Sequence, residues 1–478
     1  MQKVKKAWFC SSCGNESPKW MGQCSACGQW NTMVEEIISK TKENSATSRN
    51  RSLLQSTNSK VQTLSQIENE GENRIILSTK NNIPLNTLPS KDAHIMSELD
   101  RVLGGGMVQG SMVLIGGEPG IGKSTLSLQI PLANNSLKTL YVSGEESARQ
   151  IKLRADRLGG AHDNCLVLAE TLLENILDRA KETLADLIII DSIQTIYSQN
   201  IESSAGSVSQ VRECAASLLR FAKESNTPVI LIGHITKDGT IAGPKVLEHI
   251  VDVVLQFEGD TRHSYRILRS IKNRFGSTSE LAVYQMTGSG LEEIINPSEL
   301  FIPMHGDNLS GIAVSAMLDG SRPFLIEIQE LVSTAAYGTP QRSATGFDVR
   351  RMNMLLAVLE KRAGFKLAQK DVFLNIAGGL KISDPACDLA IITAILSSNF
   401  DINISGREAF AAEVGLSGEI RPVSQIEKRI AEAQKLGFNK IYVSKFNKIS
   451  SNKEVKKFSN SIDVVEIENI GEFIKGIF

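Results

Sequence analysis

The chain lacks the features that would commit it to a membrane, a secretory route or a repeat architecture. No apolar run approaches the ~20 residues that a helical span needs, so no membrane segment is expected. The basic start, Met1 to Lys6, is followed by no apolar h-region. It runs directly into Trp8-Phe9-Cys10, which argues against a signal peptide. The expected location is the cytoplasm, with reduced thiols. Charge of one sign is also missing: 52 Lys and Arg stand against 53 Asp and Glu, for a net charge of −1. Any nucleic-acid binding must then come from local patches and not from a global field. No internal repeat is visible. What remains is an ordinary soluble composition over 478 residues, enough for two or three domains.

Cysteine is sparse and unevenly used. Of seven, four form two C-x-x-C pairs, Cys10/Cys13 and Cys24/Cys27, each followed by a glycine. Two such knuckles close one tetrahedral Zn²⁺ site. A redox pair would need a βαβ context that is absent, and a disulfide conflicts with the expected compartment. Trp8, Trp20 and Trp30 lie in the same segment and are expected to cover a core too small to fold without metal. Cys165, Cys214 and Cys387 are scattered and read as buried structural cysteines.

Three units and one linker are expected. Residues 1–35 are the zinc ribbon. Residues 36–87 read as a flexible linker, since Ser39 to Lys60 holds only Ala46, Leu53 and Leu54 as apolar residues. A tether of about 40 residues spans roughly 35 Å root-mean-square. Residues 88–297 alternate apolar strands with helices, which predicts a mostly parallel sheet covered on both faces and an antiparallel extension at its end. Residues 308–478 are again mixed α/β, with helices expected at Val349–Arg362, Ala386–Ser398 and Gln425–Leu436.

Chemistry concentrates in the third of these segments. Gly117-Glu118-Pro119-Gly120-Ile121-Gly122-Lys123-Ser124 fits G-x-x-x-x-G-K-[ST], and Thr125 continues it into a helix. The preceding run, Ser111 to Gly116, reads as a buried strand. The glycines thus occupy a strand-to-helix turn whose N–H groups face an anion. Lys123 is suited to the β- and γ-phosphates of ATP and Ser124 to Mg²⁺. Asp191 ends the apolar strand Leu187–Ile190, a position for the Mg²⁺ shell or a helix N-cap. Glu145 follows the strand Thr139–Val142 and is suited to orient or deprotonate the attacking water, with Glu146 as the neighbouring candidate. His234 ends the strand Pro228–Gly233, as a γ-phosphate sensor or an ordinary surface histidine.

These residues look like the RecA/DnaB class of P-loop ATPases. Leu99-Asp100-Arg101-Val102-Leu103-Gly104-Gly105-Gly106, Tyr141-Val142-Ser143-Gly144-Glu145-Glu146-Ser147, Lys272-Asn273-Arg274-Phe275-Gly276 and the four-cysteine module resemble the bacterial RadA (Sms) family over essentially the whole chain. The resemblance implies a ring-forming, hexameric, DNA-dependent ATPase that drives branch migration in homologous recombination and repair. Its implied partners are single-stranded and branched DNA and a RecA-type recombinase.

On the RecA-like arrangement two loops, Ser198–Val208 and Thr236–Glu248 with Lys237 and Lys245, are placed to meet DNA phosphates. Neither holds an aromatic stacking residue, apart from Tyr197 at the margin. Thr261–Gly276 lacks acidic residues and carries five cations. Lys272 and Arg274 alternate on one strand face and are expected to complete a neighbouring subunit's ATP site or to bind DNA. The last segment resembles the Lon protease domain through Ala377-Gly378-Gly379, Asp384-Pro385-Ala386 and Glu413–Ile420. Ala386 and Glu427 occupy the aligned Ser and Lys positions, so no peptidase activity is expected. The alternatives are an ATP-dependent Lon-like protease and a regulatory RecA-fold ATPase that does not act on DNA.

Overall fold

The computed structural model describes residues 5–10, 14–38, 74–78, 96–160, 163–234, 244–259, 265–302, 309–335, 338–449 and 461–478. The chain divides into two compact units, Met1–Ile294 and Ile295–Phe478.

The first unit opens with a small antiparallel sheet, β1 (Lys5–Cys10), β2 (Glu16–Ser17) and β3 (Met33–Ile38), in the order β2-β1-β3. Cys10, Cys24 and Met33 form its buried centre, with Trp8 packed against them. The expectation that all three tryptophans cover this core holds for Trp8 alone. Trp20 and Trp30 are 56% and 69% exposed, because both sit on straps outside the three-stranded sheet.

Part of the expected linker is core. β4 (Arg74–Ile75) pairs with β5 (Met107–Val108), and Leu77 is fully buried. The Asp100 carboxylate accepts the N–H groups of Leu77 and Ser78, at 2.9 and 2.8 Å, and so fastens the segment to the helix Ser97–Leu103. Residues 39–73 and 79–95 lie outside the described residues.

Nine strands then build the main sheet: β6 (Met112–Gly117), β7 (Thr139–Ser143), β8 (Cys165–Ala169), β9 (Leu187–Asp191), β10 (Val229–His234), β11 (Val253–Glu258), β12 (Tyr265–Asn273), β13 (Leu281–Thr287) and β14 (Gly290–Glu293). Their order is β14-β13-β12-β11-β6-β10-β9-β7-β8. β6 to β11 pair in parallel, and β12 to β14 extend the sheet antiparallel. The strands are apolar at nearly every position because both faces are covered. Along β6, Val113 and Ile115 join one core, while Met112 and Leu114 join the other. That two-residue alternation divides the helices between the faces. Helices Lys123–Ala133, Ala148–Arg157, Leu173–Thr183 and Val208–Ser225 cross over between strands. The strand order sets the C-terminal ends of β6, β10, β9 and β7 side by side, and His234 is in register with Gly117 and Ser143 with Asp191.

The second unit has a seven-stranded mixed sheet. Its elements are β15 (Ile312–Asp319), β16 (Arg322–Thr334), β17 (Arg342–Thr345), β18 (Lys370–Ile376), β19 (Glu408–Ala411), the small hairpin β20 (Glu413–Val414) and β21 (Ile420–Arg421), then β22 (Lys440–Ser444) and β23 (Asp463–Ile467). The sheet order is β17-β18-β16-β15-β19-β22-β23. Helices Val349–Ala363, Asp388–Phe400, Ile426–Lys435 and Ile470–Ile477 accompany it. Asp348 caps the first by accepting the Arg350 N–H at 2.7 Å, and Gly364, at φ 80°, ends it. The expected helix from Ala386 begins instead as a 3₁₀ turn, Pro385–Cys387, which Asp384 caps through the Ala386 N–H.

Candidate functional site

The phosphate loop leaves β6 and enters the helix Lys123–Ala133. Two of its glycines have φ in the left-handed region, Gly120 at 76° and Gly122 at 118°, where side chains are strained. At Gly122 a Cβ would also meet the Met286 side chain at 2.9 Å. Lys123 is buried, and its Nζ donates to the carbonyls of Gly117 and Glu118, both at 2.9 Å. Burial lowers its pKa to about 8, against the charges of Asp191 and Glu145, which pull it up.

Asp191 lies at the end of β9 and is buried. Its Oδ2 accepts the Tyr141 hydroxyl at 2.6 Å. Burial, then the adjacent Asp191 charge, push the Tyr141 phenol well above its usual value. The peptide between Asp191 and Ser192 is cis. Glu145 Oε1 accepts the Ser192 hydroxyl at 2.7 Å and lies 3.4 Å from His234 Nε2. Burial pushes the Glu145 carboxyl up, but these two hydrogen bonds and the nearby cationic charge outweigh it and hold the group below the usual range. Glu146 turns away and pairs with Arg154. Of the two glutamates, Glu145 is thus the one that converges with Lys123 and Asp191. Sequence reading missed Tyr141 and Ser192. Their roles depend on contacts across 50 and 47 residues, and no local pattern marks such contacts.

The donors suit the group that a P-loop ATPase takes, ATP with Mg²⁺. Ser124 follows Lys123 in the helix, and Asp191 supplies a hard carboxylate oxygen. Ser124 and Asp191 are the residues that would hold the metal.

The loop after Tyr197 is closed on itself. Gln210 Nε2 donates to the carbonyls of Ser198, Ile201 and Ser203, and its Oε1 accepts the Ser198 N–H. Lys237 lies outside the described residues. Lys245 falls in the helix Pro244–Ile250. Lys272 Nζ donates to the carbonyls of Glu248 and Val251 at 2.5 and 2.8 Å. Arg274 lies just past β12, is 53% exposed and pairs with the buried Asp252 at 3.5 Å. Asn273 Nδ2 reaches the carbonyls of Val102 and Leu103, and Gly104 and Gly276 approach closely. The two motifs at 99–106 and 272–276 thus form one packed unit, and most of the second is scaffold.

In the ribbon, the sulfurs of Cys10, Cys24 and Cys27 all lie within 4.8 Å of one another, and Cys10 and Cys27 are 3.7 Å apart. Tetrahedral thiolates at the usual Zn–S distance are about 3.8 Å apart, so the set fits zinc. Cys13 lies outside the described residues. The two knuckles repeat one backbone pattern. Gly14 N–H donates to Cys10 O and Gly28 N–H to Cys24 O, and the two glycines have φ of 71° and 70°. Outside the ribbon, Cys214 and Cys387 are buried as expected, but Cys165, at the start of the edge strand β8, is only half-buried. Burial pushes the thiol of Cys165 up to about 11 and that of Cys214 to about 12, and raises Cys387 further.

At the C-terminal centre, Ala386 is fully buried and offers only a methyl group. Arg429, two residues beyond Glu427, pairs with Asp384 at 2.6 Å and donates to the carbonyls of Ala316 and Ser424.

The mostly parallel sheet, the P-loop after its central strand and the carboxylate closing β9 define a RecA-like P-loop ATPase. It is preceded by a structural zinc ribbon and followed by a Lon-like α/β domain. The AAA domain family matches residues 83–240, the rubredoxin metal binding domain family residues 8–35, and the family of subunit ChlI of Mg-chelatase residues 332–447. DNA repair protein RadA of Bacillus subtilis is 45% identical over 99% of each chain. The RadA of Listeria monocytogenes is 46% identical, also over 99% of each. The RadA of Streptococcus pyogenes serotype M3 is 44% identical over the whole of both chains. The chain belongs to the RadA family.

Proposed function

We propose that this protein is a DNA-dependent ATPase acting in homologous recombination and recombinational DNA repair. In this reading it forms a homohexameric ring and drives branch migration of recombination intermediates alongside a RecA-type recombinase. The observation that carries the reading is the convergence of Lys123, Glu145 and Asp191 at one edge of the sheet, in a chain whose full-length relatives are named for DNA repair.

The chemistry follows from the residues. Lys123 is held by two carbonyls and meets the β- and γ-phosphates, whose negative charge raises its lowered pKa and keeps it protonated. Glu145 stays ionised at neutral pH and accepts a proton from the attacking water, with Ser192 and His234 fixing its carboxylate. Mg²⁺ held by Ser124 and Asp191 would neutralise charge on the phosphates. Tyr141 holds Asp191 through Oδ2, and Oδ1 is the oxygen that would be available to Mg²⁺.

Lys272 and Arg274 together complete the ATP site of the adjacent subunit, with Arg274 the half-exposed member and Lys272 the one held by the carbonyls of Glu248 and Val251. Mixing Lys272→Ala or Arg274→Ala subunits with Lys123→Ala subunits is expected to restore part of the ATPase activity that each variant lacks alone. A variant that keeps normal ATPase and loses DNA binding would assign the pair to DNA phosphates. The C-terminal unit serves subunit or DNA contact and not peptide cleavage, given Ala386 and the Arg429–Asp384 pair.

The central experiment measures ATP turnover with and without single-stranded DNA, and strand exchange at a labelled three-stranded junction. Stimulation and branch migration are expected. ATP turnover indifferent to DNA would leave a regulatory ATPase instead.

A further inference from the structure

All three tryptophans of the chain fall within the first 30 residues, and the ribbon turns two of them outward. Burial would favour an indole strongly, so outward tryptophans in so small a module call for a cause. The backbone supplies it. The Asn31 N–H donates to Gly22 O at 2.7 Å, and Gln23 bridges to Trp30, which ties two straps together outside the sheet. Both rings lie against the same glycine: a Cβ on Gly22 would meet Trp30 Cζ3 at 3.6 Å and Trp20 Cη2 at 3.7 Å. Two exposed indoles are therefore held side by side on a frame stiffened by metal.

The surroundings select the occupant. The exposed neighbours on these straps are Lys19, Gln23, Ser25 and Asn31 beside the small apolar Pro18 and Ala26, which sets the indoles among polar groups instead of in the broad apolar patch that protein docking uses. Charge is distributed unevenly along the sequence. The ribbon, residues 1–35, carries four Lys and Arg against two Asp and Glu, and the stretch that follows, residues 36–60, adds five against two, whereas the whole chain carries −1. A flat aromatic pair at the positive end of a chain that is otherwise negative matches unpaired bases on a phosphate backbone. Stacking supplies sequence-tolerant affinity and the cations supply attraction.

We propose that Trp20 and Trp30 are a stacking platform for unpaired nucleic-acid bases, which makes the zinc ribbon a single-strand contact in its own right. The proposal extends the reading that DNA is this ATPase's substrate, and its test separates the two. Every tryptophan is in the ribbon, so the intrinsic emission of the full-length, zinc-loaded protein reports on that module alone. Titration with a 20-nucleotide single-stranded DNA is expected to quench it. A chain of the same length made of abasic nucleotides should not. The double variant Trp20→Ala/Trp30→Ala, with zinc content unchanged as the check on folding, should bind the oligonucleotide at least ~10-fold more weakly. Trp20→Phe/Trp30→Phe, which keeps flat rings, should recover most of that loss.

Equal quenching by the abasic chain would reduce the platform to phosphate attraction and overturn the proposal. An oligonucleotide that stimulates ATP turnover without changing the emission would overturn it while leaving the proposed function standing. Quenching that appears only with a RecA-type recombinase present would hand the platform to a protein partner. An oligonucleotide that does neither would remove both readings.

Discussion

Lys123 in the first unit and Arg429 in the second are both buried cations, 4% and 1% exposed. Arg429 is closed off. Asp384 neutralises it at 2.6 Å, and the carbonyls of Ala316 and Ser424 take further donors. Lys123 has two carbonyls and, among the described residues, no carboxylate at ion-pairing distance. Asp191 and Glu145 stand close enough to favour its charge, yet burial wins and its pKa falls to about 8. A buried charge with every partner in place has nothing left to offer a ligand. One that remains under-compensated gains when an anion arrives. The same residue class therefore serves as structure in one unit and as chemistry in the other, and the difference lies in the partners.

The widest separation of the two cations is in activity. Lys123→Ala should reduce ATP turnover by at least ~10³-fold, the scale for a lost transition-state charge contact, with little change in thermal unfolding. Turnover at the wild-type rate would remove this lysine from the reaction. Arg429→Ala should reverse the pattern. It strands Asp384 in the interior and should destabilise the C-terminal unit by about 3–5 kcal/mol in a urea titration. Asp384→Asn combined with Arg429→Met should recover much of that loss. Between these lies Glu145→Gln, expected to slow hydrolysis by ~10²-fold while nucleotide binding persists. Glu146→Gln should cost only the Arg154 pair, and equal losses at both positions would erase the distinction drawn between them.

The smallest effect concerns pH. Burial pushes the Glu293 carboxyl up to about 7, even though it accepts the Ser97 hydroxyl and the Glu98 N–H at the start of the helix Ser97–Leu103. Its folded value is above its unfolded one. Its contribution is complete at low pH, and it is lost as pH rises from about 4.5 through about 7. Glu293→Gln should flatten that slope in thermal midpoints measured across the window. An unchanged slope would assign the pH dependence elsewhere.

Much of this was legible in the sequence, for reasons that differ by residue. The phosphate loop is a local motif, and Asp191 follows from the end of a strand that is apolar throughout. The parallel core with its antiparallel extension follows from the same runs. The helix Leu173–Thr183 is absent from the sequence expectation although Leu173, Ile176, Leu177 and Ala180 carry the helical stripe. What a single sequence does not display is pairing over distance. The Tyr141–Asp191 bond spans 50 residues and the Arg429–Asp384 pair 45, and neither leaves a periodic trace. The β15–β16 hairpin escaped for another reason, since β15 is a mostly apolar run that a buried helix segment resembles equally well, and Glu327, Gln329 and Glu330 break the alternation of β16. The segment at residues 74–78 escaped because three aliphatic residues in a row, Ile75-Ile76-Leu77, are too short a run to mark an element within a largely polar stretch.

The unequal treatment of cysteine has a practical side. Thiolates react and thiols do not, and burial, complete at Cys214 and Cys387 and partial at Cys165, raises all three thiols above their usual value. The ribbon cysteines are masked by metal until it leaves. A chromogenic thiol reagent added to the folded protein would thus see at most the half-buried Cys165 as background, and the rest of its colour would appear at the pace of zinc release. The chain carries its own metal-loss indicator, readable without replacing a single residue.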